Sequence, residues 1–273
     1  MVQLPVEKGG CLGSACSLTT SGVLPTGRLQ QLIQEHSSLT SEESSLENIH
    51  TRSVSSPAEL RRTLQQGIPS LIQQISGQGG SKLPLKLLIL DSLAGVFRMA
   101  GKTTSETLME RSRELNDISA LLHHLASTYN LAIVVINDVT SVISRDGMLP
   151  SQQGERGDAE SIYYGDQVRW FSRAGSLPSE EGFEASLGLV WANQVSVRIM
   201  MTRTGRRRFL SDNTPRSRGT GAGSGQGDTD EEDATLIRRL SVVFSSFSEP
   251  SSIDFIVSEA GVISIGQRAM ILT

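Results

Sequence analysis

Two continuous apolar runs, each ending in a carboxylate, constrain the fold of this chain more than any other feature. They are residues 87–91 (LLILD) and residues 131–138 (LAIVVIND). A run without alternation is typical of a strand that is covered on both faces. Between them lie residues 105–128, where apolar side chains recur at helical spacing: Leu108, Leu115, Ile118, Leu122 and Leu125. Strand, helix, strand at this spacing predicts a parallel sheet flanked by helices, so the fold class is α/β.

The segments on either side of this unit fit the same class. Residues 13–21 (GSACSLTTS) are prone to form a strand, and the helix pattern that follows carries Leu29, Leu32 and Ile33 on one face. Ser56, Pro57 and Glu59 form a helix-start signature. We expect that helix to be interrupted at Gly67 and Pro69, and we expect Asn130 to end the helix of residues 105–128 in a left-handed conformation.

The pattern changes after Asp138. Residues 139–187 are rich in Ser, Gly and charge, and a loop of this length in a compact domain is usually functional or disordered. Residues 211–234 have the composition of a disordered insertion within a hairpin, and the apolar alternation on either side predicts a C-terminal β-meander. We predict a single domain over residues 1–273.

Composition limits the function classes. The formal net charge is −4, so no global basic field attracts nucleic acid, and any contact with DNA must be local. Cys11 and Cys16 form neither a disulfide framework nor a metal spacing, which favours a reducing compartment. No apolar run is long enough to span a membrane, and the first residues lack the layout of a secretion signal, so we expect a soluble intracellular protein without a membrane partner.

Two motifs compete as the phosphate-binding element. Gly101-Lys102-Thr103 looks like the end of a phosphate loop, but Gly95 precedes Gly101 by one residue too many for the Gly-x-x-x-x-Gly-Lys-[Ser/Thr] pattern. We interpret it as a flexible loop tip. Asp91, at the end of an apolar strand, is placed as a magnesium-organising carboxylate would be, although a strand-end cap is the simpler alternative.

Several segments, in order, resemble the RecA/RadA recombinase family, and within it the eukaryotic recombinase paralogues. SACSLTTSGVLPTGRL is similar to the strand that ends in Thr-Glu-Gly, and LKLLILDSLAGVFR to the Walker B strand. LASTYNLAIVVINDV resembles the strand ending in Asn-Gln-Val, and LGLVWANQVSVRIMMTR the helix and strand after the second DNA loop. RRLSVVFSSFSEPSSIDFIVSEAGV resembles the closing hairpin with its adenine-capping turn, which falls at Pro250.

The resemblance implies a RecA-like P-loop NTPase core, with a mainly parallel twisted sheet and a C-terminal hairpin or meander. The family's Walker A loop lies upstream of the segment that Met1 begins, so we expect ATP and Mg²⁺ to bind a full-length form and neither to bind these 273 residues alone. The implied nucleotide and Mg²⁺ residues are Asp91, Ser92, Asn137 and Asp138. Asp91 is expected to hold Mg²⁺ through water, and only together with the nucleotide.

Two departures from the family pattern predict weak or absent hydrolysis. Ser21 stands where the family has its catalytic glutamate, and a serine cannot act as a carboxylate base at neutral pH. Asp138 stands where the family has a glutamine that senses the γ-phosphate, and its negative charge repels phosphate oxygens unless a cation intervenes.

The resemblance also places two DNA-binding loops. The first covers about residues 98–105, with Arg98 and Lys102 facing phosphates. The second covers about residues 140–184, within the long loop, and carries Arg145, Arg156 and Arg169. Acidic residues interleave with these arginines, so a solvated insertion is an equally good interpretation of the second loop. The basic cluster at residues 203–209 is a localisation signal, a nucleic-acid patch or a solvated hairpin end.

The leading hypothesis is therefore a nuclear recombinase paralogue in homologous-recombination repair of double-strand breaks. Its expected partners are another paralogue subunit, the main recombinase and single-stranded DNA. The alternative is an active DNA-dependent ATPase of the RecA family, completed by an upstream Walker A loop. A third and poorer interpretation is an unrelated α/β interaction module.

Overall fold

A four-stranded parallel sheet forms the centre of the first of two compact units, Met1–Val195 and Ser196–Thr273. The structure is a computed structural model, and it describes residues 2–35, 44–77, 82–98, 105–141, 183–185, 187–209 and 234–265. The sheet has the order β2-β1-β3-β4. Its strands are β1 (Ser14–Thr19), β2 (Ile49–Ser53), β3 (Leu85–Asp91) and β4 (Ala132–Ile136). All three pairings are parallel, which confirms the predicted α/β class.

Helices connect these strands. They are α1 (Thr26–Glu35), α2 (Pro57–Arg62), α3 (Ile68–Gly77), α4 (Leu93–Val96) and α5 (Ser105–Tyr129). A further helix, α6 (Gly188–Ala192), comes later in the chain than all four strands. Single 3-10 turns occur at Val6–Lys8 and Leu46–Asn48. Within the described ranges, no helix combines the length and the apolar character that crossing a bilayer requires.

The core lies between the central strand and the long helix. Leu88 and Leu90 of β3 are fully buried, whereas the side chains on the other face of the strand are half-buried. On α5 the predicted stripe is buried at four positions: Leu115, Ile118, Leu122 and Leu125. Leu108 is 50% exposed, so the stripe does not reach the first turns of the helix. Burying a leucine stabilises a fold by about 1.5–3 kcal/mol, which makes this stripe the main reason why α5 docks.

Strand β4 follows α5 through the predicted left-handed residue, because Asn130 has φ 51°. Among the described strands of this sheet β4 is an edge, and Val134 is 48% exposed. The continuous apolar character of residues 131–136 therefore does not correspond to a strand covered on both faces in this unit.

The start of α2 matches its sequence signature. The Glu59 N–H donates to Ser56 Oγ at 3.2 Å, and the Glu59 carboxylate accepts from the N–H and hydroxyl of Ser55 at 2.9 Å each. The two hydrogen bonds from Ser55 lower the pKa of Glu59.

The predicted interruption at Gly67 and Pro69 is wrong, because a π-helical turn over Thr63–Gly67 joins α2 directly to α3. This wider turn accommodates a proline that an α-helical hydrogen-bond ladder would exclude.

The two ends of the predicted long loop meet in a short antiparallel pair. Strand β5 (Val139–Ser141) pairs with β6 (Phe183–Ala185), with Thr140 opposite Glu184. Residues 142–182 and 186, which contain most of the loop, lie outside the described residues. The loop therefore leaves and rejoins the fold at one place.

The second unit contains a four-stranded antiparallel sheet of order β10-β9-β8-β7. Its strands are β7 (Val197–Phe209), β8 (Ala234–Ser245), β9 (Ser251–Ser258) and β10 (Gly261–Ile265). This sheet confirms the predicted β-meander, and β7 and β8 form the predicted hairpin. The insertion predicted at residues 211–234 falls almost entirely outside the described residues.

Asp254 holds two arginines together on this second sheet. Its carboxylate accepts from Arg239 Nε at 2.8 Å and from Arg206 at 2.5 Å. The Arg239 hydrogen bond, followed by that of Arg206, lowers the pKa of Asp254 in spite of the opposing effect of burial. The two arginines come from β7 and β8, so a single carboxylate on β9 links three strands.

Thr20 ties together the carboxyl ends of β1 and β3 in the first unit. Its hydroxyl donates to the Ser92 carbonyl at 2.9 Å and accepts from the Ser92 N–H at 3.0 Å. The Thr20 N–H in turn donates to the Asp91 carbonyl at 2.8 Å. Ser92 is 3% exposed, so water cannot readily replace these bonds.

We expect Thr20→Val to lower the free energy of unfolding by about 1–3 kcal/mol, because it leaves two buried backbone groups of Ser92 without their partner. Thr19→Val, which makes the same chemical change one residue earlier, is the matched control and should cost less. Urea unfolding followed by circular dichroism measures both. Equal stability of the two variants would show that the Thr20 hydroxyl does not hold these strand ends.

We expect Asp254→Asn to destabilise the protein in a pH-dependent way. Because the pKa of Asp254 is lower when folded than its ordinary value of 3.8, its contribution is present above that value and is lost as the pH falls through the folded-state pKa. The difference in unfolding free energy between wild type and Asp254→Asn should therefore be largest near neutral pH and shrink in acid. Glu249→Gln, in the exposed turn before β9, is the control; a difference for Asp254→Asn that does not change with pH contradicts the assignment.

Candidate functional site at the carboxyl edge of the parallel sheet

Three neighbouring strands of the parallel sheet end at one edge, and each is followed by a polar pair. Thr20-Ser21 follows β1, Asp91-Ser92 ends and follows β3, and Asn137-Asp138 follows β4. The register places Asp91 beside Thr19 on one side and Ile136 on the other. Ligands of open α/β sheets bind outside the carboxyl ends of the strands. The residues predicted from three separate segments are thus brought to one place.

Asp138 is the centre of the polar contacts at this edge. Its Oδ2 atom accepts from Arg98 Nη2 at 2.5 Å and, more weakly, from the Ser92 hydroxyl at 3.4 Å. The Arg98 side chain is 63% exposed and that of Asp138 is 39% exposed. The carboxylate predicted to repel phosphate is therefore paired with the arginine predicted to bind DNA.

An open cleft of about 760 Å³ lies beside this ion pair. Seven residues line it: Ala94, Phe97, Arg98, Arg111, Asn137, Asp138 and Val139. The Arg111 guanidinium lies 5.4 Å from the centroid of the buried Phe97 ring, a cation–π geometry. Two guanidinium groups and one carboxylate therefore face the same cleft.

Arg111 is not among the residues that the sequence pattern predicts for the site. A signal is present in the sequence, because Arg111 lies three residues after Leu108 and four before Leu115 and so shares the apolar stripe of α5. A cation in such a stripe requires a local partner, and the Phe97 ring supplies one. Phe97 and Arg98, the aromatic-Arg pair that follows the Walker B strand, thus contribute to the cleft together.

The donors at this edge fit one hydrated magnesium ion rather than a cation held by two carboxylates. The Asp91 carboxylate is exposed at the end of β3, where it could contact the water shell of Mg²⁺. The Asp138 carboxylate is paired with Arg98, which offsets part of its negative charge. Among the described residues, no three His, Cys, Asp or Glu side chains come together as a metal site of their own.

Ser21 follows Thr20 in the turn after β1 and is exposed. It lies at the same edge as Asp91, which is where the resemblance requires the catalytic carboxylate. Its hydroxyl can donate or accept a hydrogen bond, but it cannot take up a proton as a base at neutral pH. The edge therefore contains the metal-type residue without a base beside it.

Gly95 has a packing role instead of a place in a phosphate loop. It lies in α4, where an added Cβ would come within 2.0 Å of the Thr20 hydroxyl oxygen. Only a glycine allows the backbone of α4 to approach Thr20 this closely. This contact explains the glycine without any phosphate ligand.

The remaining predicted residues divide into two groups. Lys102, Arg145, Arg156 and Arg169 lie outside the described residues, so their role in binding DNA stays a prediction. Pro250 is exposed in the turn between β8 and β9 of the second unit, and its adenine-capping role also stays a prediction.

Cys16 is buried in β1, and burial raises the pKa of its thiol to about 11, which keeps it protonated.

Known proteins resemble this chain over the residues that build the sheet edge. The family described as Rad51 matches residues 1–157. "DNA repair protein XRCC3 homolog" of Arabidopsis thaliana is 27% identical over 270 residues, which cover 96% of this chain and 79% of the relative. "DNA repair protein XRCC3" of Mus musculus is 26% identical over 74% of this chain, and the match spans about half (51%) of the mouse protein.

A yeast DNA repair protein is similar to this chain over a shorter stretch. "DNA repair protein RAD57" of Saccharomyces cerevisiae is 29% identical over 140 residues, covering 50% of this chain and 29% of the relative. The predicted recombinase family, and within it the paralogue branch, is confirmed, and the interpretation as an unrelated α/β interaction module is wrong. A match to more than half of the chain, over the residues that build the sheet edge, shows that this chain belongs to the Rad51 family.

Proposed function

We propose that this chain acts in homologous-recombination repair of DNA double-strand breaks as a recombinase paralogue, helping the main recombinase to assemble on single-stranded DNA. The observation that carries this proposal is a nucleotide-type sheet edge with Asp91 at its centre, Ser21 where a catalytic carboxylate is required, and Asp138 bound to Arg98. The relatives named for DNA repair support the biological setting.

The arrangement favours binding of a nucleotide over its turnover. MgATP, when bound, would supply the phosphoryl group and its charge, and Asp91, Ser92 and Asn137 are the residues of this edge that would hold it, Asp91 toward the hydrated Mg²⁺. Ser21 leaves the attacking water without a base. Asp138 presents a carboxylate, neutralised by Arg98, where the family resemblance implies a neutral amide.

Single-stranded DNA is the proposed polymer ligand, and the cleft supplies its described contacts. Arg98 and Arg111 are two cations on one face, and guanidinium groups bind phosphate oxygens well. Lys102, Arg145, Arg156 and Arg169 extend this proposal to the two loops. The chain's net charge of −4 makes such binding local and strongly dependent on salt.

The proposed partners are a second paralogue subunit and the main recombinase, in a heteromeric complex in the nucleus. The support for this part is the similarity to repair proteins. Hydrogen bonds that join the strand ends at the described sheet edge, from Thr20 to Ser92 and from Arg98 to Asp138, lie within the first unit.

The test measures DNA binding and phosphate release on the same protein. Arg98→Ala and Arg111→Ala should each weaken binding to a fluorescent oligothymidine and reduce the slope of log affinity against log salt by about 0.7, the value for one lost phosphate contact on a single strand. Arg62→Ala, which removes an exposed charge from α2, is the matched control and should change neither.

Phosphate release from ATP is measured on the full-length form with its upstream segment; it should not increase when the oligothymidine is added, and Asp91→Ala should leave the rate unchanged. DNA-stimulated release that disappears in Asp91→Ala would contradict the proposal and establish the active DNA-dependent ATPase instead. Equal binding by wild type, Arg98→Ala and Arg111→Ala would remove the cleft from the DNA site.

A further inference from the structure

We infer that Asp138 sets the affinity of the cleft for nucleic acid, because its carboxylate is a built-in anion that occupies Arg98 and that a DNA phosphate must displace. This inference rests on the proposed function, since it concerns the same cleft. It assigns Asp138 a role in setting the affinity for DNA, distinct from its expected place among the nucleotide contacts.

The geometry gives Arg98 one short contact to a carboxylate oxygen. Arg98 Nη2 donates to Asp138 Oδ2 at 2.5 Å, and the Ser92 hydroxyl donates to the same oxygen at 3.4 Å. Ser92 is itself fixed by Thr20, so the carboxylate is held from the sheet side while Arg98 approaches from the cleft side. The acceptor is therefore positioned by the fold, and the arginine is its more exposed partner.

The exposure of this ion pair allows Arg98 to exchange Asp138 for a phosphate. Arg98 is 63% exposed and Asp138 is 39% exposed, so an incoming phosphate oxygen can reach the guanidinium without unfolding any element. Carboxylate and phosphate oxygens bind the same donors of a guanidinium. An ion pair this exposed is weak enough for one anion to replace the other.

The charges in the cleft then determine how tightly it binds DNA. With Asp138 ionised, the cleft contains two guanidinium charges and one carboxylate charge; without it, both guanidinium charges act on the ligand. A DNA phosphate bound at Arg98 also comes near the displaced carboxylate and is repelled by it. Both effects weaken binding, so Asp138 lowers the affinity of the cleft for every polyanion.

The experiment compares two substitutions that remove the same formal charge. Asp138→Asn removes the built-in anion, and Asp117→Asn removes a carboxylate from a comparable surface pair, in which Asp117 lies 3.6 Å from Arg61 on α2. We expect Asp138→Asn to bind fluorescent oligothymidine about two- to fivefold more tightly than wild type at low salt, and Asp117→Asn to bind as wild type does.

The double variant Arg98→Ala/Asp138→Asn decides whether the effect passes through Arg98. The gain seen in Asp138→Asn should disappear in the double variant, and the salt slope of Asp138→Asn should exceed that of wild type by up to about 0.7. A gain that persists without Arg98, or an Asp138→Asn variant that binds no more tightly than Asp117→Asn, overturns the inference while leaving the proposed function in place.

A second measurement needs no DNA and separates failure of the inference from failure of the proposed function. Trypsin cleaves after arginine and lysine, so the initial rate of cleavage after Arg98, measured by mass spectrometry relative to cleavage after Lys82 in the exposed bend before β3, reports how firmly Asp138 holds Arg98. Faster relative cleavage in Asp138→Asn shows that Asp138 holds Arg98, which is the first step of the inference. If no variant then binds oligothymidine, the proposed function is overturned, and the inference about DNA affinity is overturned with it. Equal cleavage in wild type and Asp138→Asn overturns the inference itself.

Discussion

The parallel register of β1, β3 and β4 is the constraint on which the rest of this structure depends. Parallel strands end at the same edge of a sheet, so one alignment brings together groups from sequence positions 20, 91 and 138. The register is held by the fully buried Leu18, Leu88 and Leu90, since a slip of one residue would turn each of them to the opposite face. The hydroxyl of Thr20 then fixes the strand ends to each other.

The edge resembles the nucleotide-binding edge of the family but carries its charged residues at different positions. Family resemblance implies an acid after β1 and a neutral amide after β4; this chain has Ser21 and Asp138 instead. The carboxylate expected after β1 is thus absent at Ser21, and a carboxylate stands instead at Asp138, where the family resemblance implies a phosphate-sensing amide. There it is paired with Arg98. Catalysis needs an unpaired base beside the metal, whereas binding needs only a cation near the phosphates. Under the proposed function, this edge could bind a nucleotide but has no such base after β1.

Local pattern is enough to predict much of this fold, and tertiary packing explains what it misses. The βαβ unit, the cap at Ser56 and the left-handed Asn130 follow from periodicity and backbone chemistry within a few residues. The π-helical turn before Pro69 could not be predicted, because it depends on tertiary packing that keeps the helix continuous on both sides of the proline. At the site, Asp91 and Asp138 are readable from the sequence, but the contact between Arg98 and Asp138 joins residues 40 positions apart and emerges only from the register.

Residue-level hydrogen exchange of the free protein tests the central claim most directly. If β3 is the middle of a parallel sheet that delivers Asp91 to a shared edge, then the amides of Leu88 and Leu90 should be among the slowest to exchange, opening only with global unfolding. The Ser92 amide, bound to Thr20 across the strand ends, should also be protected although it lies beyond the strand. Rapid exchange at Leu88, Leu90 and Ser92, comparable to that of the exposed turn around Phe247, would contradict the account.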